Sequence, residues 1–163
     1  MGRRPVISAV LPIVFVSALF ILRPVDCLTA RSGGRLLFAW PIRAGDFFEV
    51  TFIHSLNKSP VTDHIEYDGN ELIVRKSVFK TFGGGIPVPS DGIGTELIKT
   101  DSGYELIGID KRMPGFTVIT QVYPDHRIAM GGREASLLSL AGSGAAVEIS
   151  VKKIPFIVIF FKQ

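Results

Sequence analysis

An all-β domain behind an N-terminal apolar segment is the architecture this sequence predicts, and three observations carry it. From Leu28 onward, turn-forming residues recur every several positions, as they do between short antiparallel strands. The run Phe47 to Ser55 alternates with the two-residue period of a strand. Outside the first residues only Ala135 to Ala141 reads as helix, for a turn or two. About ten short strands with glycine-rich turns imply an antiparallel β-sandwich or a partly closed barrel.

The chain begins with a short basic stretch, Arg3-Arg4, followed by Val6 to Leu22, apolar apart from Ser8, Pro12 and Ser17 and closed by Arg23. As a helix this run is about 25 Å long, at the short end for crossing a bilayer. A signal-peptide core is normally shorter, and no good small-x-small cleavage site follows: a cut after Ala30 would place Leu28 three residues before it. Residues 1–26 therefore read as an uncleaved transmembrane anchor in preference to a cleaved leader. Arg3 and Arg4 should stay cytoplasmic and the remainder should be exported.

Residues 27–153 form the expected exported domain. Leu28 to Arg31 and Leu36 to Trp40 flank Ser32-Gly33-Gly34-Arg35 as a hairpin. In Phe47 to Ser55, Phe48, Val50, Phe52 and His54 share one face, with Phe47, Glu49, Thr51, Ile53 and Ser55 opposite. After a turn at Asn57 to Pro60, Val61, Asp63, Ile65 and Tyr67 fall in phase on a second strand. Asp68-Gly69-Asn70 turns the chain into Glu71 to Lys76, and Val78 to Phe82 continues extended. The run from Gly83 to Gly92, with Gly83, Gly84, Gly85, Pro87 and Pro89, suits only a loop. Leu97 to Lys99 and Tyr104 to Ile109 flank Asp101-Ser102-Gly103 as another hairpin. Phe116 to Tyr123, His126 to Met130 and Ala145 to Val151 complete the strands. Residues 154–163 are apolar but too short to span a membrane, and read as a final strand or a tail.

A pI of 9.2 invites a nucleic-acid partner, but the distribution of charge excludes it. Arg3, Arg4 and Arg23 are three of the 18 basic residues, and Asp26 is one of the 15 acids. From Cys27 onward 15 basic face 14 acidic residues with no basic stripe. Cys27 is the single cysteine, so no internal disulfide forms. Asp26 immediately before it is a poor fit to a lipidation site, and Cys27 reads as the start of the first strand.

Polar chemistry concentrates where the Phe47 strand breaks into His54-Ser55-Leu56-Asn57-Lys58-Ser59-Pro60-Val61-Thr62-Asp63-His64. Such groups at a strand end can meet a ligand while the sheet holds them still. His54 beside Ser55 resembles a base and its nucleophile, but neighbours on a strand point to opposite faces. No Gly-x-Ser-x-Gly elbow is present either. A metal site from His54, Asp63, His64 and His126 lacks tight spacing, so no metal is assigned. Gly83 to Gly85 is followed by Ile86-Pro87 instead of the Lys-Ser/Thr of a phosphate loop. Arg112 and Arg133 are basic enough to grip a carboxylate, although lone arginines on β-domains are usually solvated.

The ordered set Phe52-Ile53-His54-Ser55, Lys58-x-Pro60-Val61, Gly83-Gly84-Gly85-Ile86-Pro87, His126, Gly132-Arg133-Glu134 with Leu137, and Gly142-x-Gly144 resembles the bacterial family catalogued as domain of unknown function 1850. The resemblance spans roughly Cys27 to Lys153. It implies a small protein with an amino-terminal leader, encoded beside TRAP-type solute transporters of the TAXI subclass, with an accessory role in uptake and no established activity. Family members often carry an acid pair after Pro-Val where this chain has Thr62-Asp63, and Gly-Ala-Gly where it has Gly-Gly-Gly.

The expectation is an inner-membrane protein, N-terminus inside, whose extracytoplasmic β-domain senses a ligand or serves transporter membrane or solute-binding subunits. The membrane is met through residues 6–22. His54, Ser55, Lys58, Asp63, Gly83, Gly85, Pro87 and His126 are the expected binding or organising residues, with no catalytic residue and no cofactor assigned. His54, Asp63 and His126 should converge, with Asp63 hydrogen-bonded to a histidine. A small hydrolase using His54 or His126 as base and Asp63 as orienting acid is the alternative. A purely structural domain docking through Ile86 to Ile93 is the third reading.

Overall fold

The computed structural model describes residues 21–81, 89 and 92–159. The expected anchor lies almost wholly outside them, as do Gly83, Gly85 and Pro87. No helix among the described residues is long and apolar enough to cross a membrane.

Eleven strands and two short helices make up the described chain: β1 (Pro24–Ser32), β2 (Arg35–Pro41), β3 (Phe47–Ile53), β4 (Pro60–Tyr67), β5 (Leu72–Phe79), β6 (Glu96–Thr100), β7 (Gly103–Met113), β8 (Gly115–Ile119), β9 (Arg127–Met130), β10 (Arg133–Ser136), α1 (Leu137–Ala141), β11 (Ala146–Pro155) and α2 (Phe156–Ile159). They form a four-stranded sheet in the order β2-β1-β11-β8 and a seven-stranded sheet in the order β10-β9-β3-β4-β5-β7-β6. The paired strands are antiparallel and no barrel closes, which decides between the two expected architectures.

The main core is built from both sheets. Leu28, Ala30, Phe38, Trp40, Val147 and Ile149 of the small sheet pack with Phe48, Val50, Ile65, Tyr67, Leu72 and Ile128 of the large one. Phe48 and Val50 are buried as the alternation predicts, because a period-two strand with one apolar face must turn that face inward. β8 approaches β11 so closely that a Cβ on Gly115 would lie 2.6 Å from the Ile149 carbonyl oxygen.

A second, smaller core of Val61, Phe79 and Leu106 lies on the large sheet. A bend separates it from the first. His64 pairs with Lys76 and Ile65 with Val74, so Arg75 is an extra residue in β5. Val74 pairs with Lys111 and Lys76 with Ile107, so residues 108–110 stand opposite Arg75 alone and β7 carries two extra residues. A bulged strand bends and shifts its alternation by one. Leu72 and Val74 therefore face the main core, whereas Ser77 and Phe79 face the second one. Gly108, at φ 66°, is needed in this bulge because a side chain there would collide with Thr95. Arg75 ties the corner, bonding Glu66 at 2.6 Å and Asp110 at 2.5 Å.

Several boundaries differ from the sequence reading. β1 begins at Pro24, so Cys27 sits inside it, fully buried. β3 ends at Ile53, leaving His54 and Ser55 in the turn. The Phe116 to Tyr123 run stops at Ile119, after which the Thr120 hydroxyl donates to the Gly142 carbonyl and accepts the Ala145 N–H, which pins the exit. Ala135 belongs to β10, and α1 starts after the Ser136 cap, whose hydroxyl accepts the Ser139 N–H. The helix-like piece there is not the only one: β11 runs to Pro155 and the chain then forms α2. Ile159 of α2 and Ile154 cover Cys27 and Ala39 on the outward face of the small sheet.

Candidate functional site

The two ends of the strands differ. Pro24 pairs with Pro155, and Phe156 N–H donates to the Arg23 carbonyl, so the chain enters and leaves the β-fold at one end. Ile42 N–H to Asp26 and Gly45 N–H to the Tyr67 carbonyl place the start of β3 at that same end. The opposite end collects the 54–59 turn, the 120–126 loop, and Thr81 at the entrance to the glycine-rich segment.

These three pieces are tied to one another. Ile53 N–H donates to the Pro124 carbonyl at 2.8 Å. The Asn57 amide donates to the Thr81 carbonyl at 3.3 Å, and the Ser59 and Thr81 hydroxyls are 3.2 Å apart. The Lys58 ammonium lies 4.1 Å from the centroid of the Tyr123 ring, a cation–π contact. Phe52 and His126 stack with centroids 5.3 Å apart. The end is polar beneath and apolar at its tip: Leu56 is 69 % exposed, Val122 74 % and Tyr123 45 %. Exposed apolar side chains on adjoining loops are the usual mark of a contact surface.

Of the residues expected at the site, His54, Ser55, Lys58, Asp63 and His126 are among those described. His54 accepts the backbone N–H groups of Leu56 and Asn57 on Nδ1, at 3.4 and 3.5 Å, and so caps its own turn. Ser55 is exposed in that turn. Lys58, at φ 53°, holds a left-handed conformation that aims it at Tyr123. Asp63 points inward, but it is opposite Val50 on β3 and Ser77 on β5. It is hydrogen-bonded to Ser77, and burial pushes its carboxyl above the usual carboxylate range, an effect opposed by Ser77, His64 and Lys111. His126 is partly buried, and burial holds its imidazole below the usual value against the pull of Asp125. Its Nδ1 is solvent-excluded and has no hydrogen-bond partner among the described residues.

The expected convergence is therefore corrected. No hydrogen bond or ion pair among the described residues joins any two of His54, Asp63 and His126. The register is the reason: Phe52 pairs with Val61 and Val50 with Asp63, so Asp63 lies well down the strand from the turn that holds His54. The charge-assisted bond expected between Asp63 and a histidine is replaced by the bond to Ser77. His64, next to Asp63, faces the other way and meets Glu49 at 3.4 Å. Among the described residues no group of three or more His, Cys, Asp or Glu side chains is placed to hold a metal ion. The Glu71 and Asn70 N–H groups, and after them Arg112 at 2.6 Å, bring the Asp68 carboxyl down to about 2.

Tyr123, Thr81, Ser77 and Lys111 were not singled out from the sequence. Lys58 and Tyr123 are brought together by tertiary structure alone, and Ser77 faces Asp63 only because of the Arg75 bulge. One signal was available for Tyr123: an aromatic followed by Pro124-Asp125 is an exposed turn. A shallow groove of about 380 Å³ on the outward face of the large sheet is lined by Phe47, Glu49, His64, Arg133 and Glu134 among others, apart from the loop end.

A family model described as domain of unknown function (DUF1850) matches residues 48–137, from within β3 to the first residue of α1. No curated protein and no solved structure matches the chain.

Proposed function

This chain belongs to the family described as domain of unknown function 1850, and on that premise we propose that it is a non-catalytic accessory module of a solute transporter, held at the membrane through its N-terminal segment. The loop end, at the far side of the fold from Pro24 and Pro155, is the working surface. There it meets a transporter membrane subunit or a solute-binding subunit. The carrying observation is the joining of the 54–59 turn, Thr81 and the 120–126 loop, with Leu56, Val122 and Tyr123 exposed on it. A surface fixed by a sheet and a cation–π contact is preorganised, which lowers the ordering cost of association.

The transporter context rests on the gene neighbourhood that the family resemblance implies. The hydrolase alternative is weakened by geometry. His54 Nδ1 faces its own turn, and Asp63 bonds Ser77 in place of orienting an imidazole.

The test is capture of the intact protein from native membranes. Transporter subunits should co-purify with the unaltered chain, and Leu56→Asp combined with Val122→Asp should reduce their recovery about tenfold or more, as loss of a central apolar contact typically does. Equal recovery with both forms would remove the loop end from the proposal. Labelling of Ser55 by an active-site phosphonate would revive the hydrolase.

A further inference from the structure

The end at which β1 begins and β11 finishes carries its own chemistry. Arg23 and Phe156 are joined by a backbone hydrogen bond of 3.0 Å, and the Arg23 guanidinium lies 5.1 Å from the centroid of the Phe156 ring. Just before them Leu22 is 61 % exposed. Just after them α2 reads Phe-Ile-Val-Ile: Ile159 is buried in the cluster over Cys27, Phe156 and Val158 pack half-buried against that cluster, and Ile157 is half-buried. Lys152 is exposed two residues before Ile154 on the same outward row, and Lys153 pairs with Asp26 at 2.9 Å. Lys153 is thus paired with Asp26, and Arg23 and Lys152 are the further cations beside it on the two strand ends.

We propose that this end, with Leu22, Arg23, Lys152, Phe156 and Ile157, rests on an anionic lipid surface, making the start of α2 a second membrane contact beside the N-terminal segment. The inference rests on the membrane-anchor part of the proposed function. The occupant follows from where the rest of the chain lies. Twenty residues precede Ile21, and Val6 to Leu22 is apolar in sequence, so in a bilayer Arg23 falls at headgroup depth. Phe156 is at the same depth because it is bonded to Arg23. Basic side chains are favoured in that zone, where the cations meet phosphate while apolar side chains reach toward the acyl boundary. The arrangement also fixes orientation: with this end on lipid, the loop end with Leu56 and Val122 points away from the bilayer, toward a solute-binding subunit or the exported face of a membrane subunit.

The test uses the full chain in vesicles of equal parts phosphatidylcholine and phosphatidylglycerol. A photoreactive benzophenone side chain replaces Ile157 in one preparation and Leu56 in another. Lipid adducts should form at position 157 with at least about fivefold higher yield than at position 56. Lys152→Glu should lower the yield at 157 about fivefold in these vesicles, the effect of one basic residue near an anionic surface, with no change in pure phosphatidylcholine. Protein that fails to sediment with vesicles overturns the anchor and this inference together. Protein that sediments but gives equal adducts at both positions, adducts to a second copy of the chain, or no response to Lys152→Glu overturns this inference alone.

Discussion

Asp63 and His126 are both partly withdrawn from water, and burial shifts them in opposite directions. For Asp63 the folded chain holds its proton more tightly than the unfolded one. The stability this contributes is fully present below 3.8 and is lost as pH rises through the raised folded value. Asp63→Asn keeps a partner for Ser77 without the buried charge, so it should stabilise the protein at neutral pH by on the order of 1 kcal/mol and flatten that fall. For His126 the sign reverses. Its contribution is present above 6.5 and is lost as pH falls through the lowered folded value. His126→Phe keeps the stack on Phe52 and removes the unpartnered Nδ1, so acid sensitivity below 6.5 should diminish. Urea midpoints at about pH 5 and about pH 8 separate the two effects. Asp63→Asn less stable than the parent at both values would mean that the ionised carboxylate is favourably paired.

At the scale of elements, α2 and the bulges are the informative features. Cys27 is fully buried beneath Ile154 and Ile159, and burial, with Asp26 beside it, pushes its thiol up to about 11. It should therefore resist thiol reagents at neutral pH, since the thiolate is the reactive form. Deleting residues 156–163 uncovers it, and labelling should accelerate about tenfold or more as access and deprotonation both improve. An unchanged rate in the shortened chain would show that α2 does not protect the sheet. β3 and β4 were legible because their inward apolar residues alternate strictly. The length of β7 and the role of Ser77 were not. An unpaired residue such as Arg75 changes which side chains face inward without altering local composition, so only strand pairing reveals it.

For the whole molecule, the start of β1 and the end of β11 lie together and the joined loops lie opposite. This predicts a polarised protein: a reporter fused after Gln163 should be active in the exported compartment alone, and cytoplasmic activity would overturn both membrane proposals. The β architecture, the hairpins at 33–34 and 101–102, and the inward faces of β3 and β4 were determined by the sequence itself. Turn chemistry and side-chain period act over a few residues, so they can be read along the chain. His54, Lys58 and His126 were likewise legible as polar groups at strand ends. Only the tertiary structure decided that Lys58 meets Tyr123, that Asp63 meets Ser77 instead of a histidine, and that Phe156 returns to Arg23. Those contacts join residues far apart in sequence, and their partners are chosen by register, bulges and the packing of two sheets, none of which leaves a local signature.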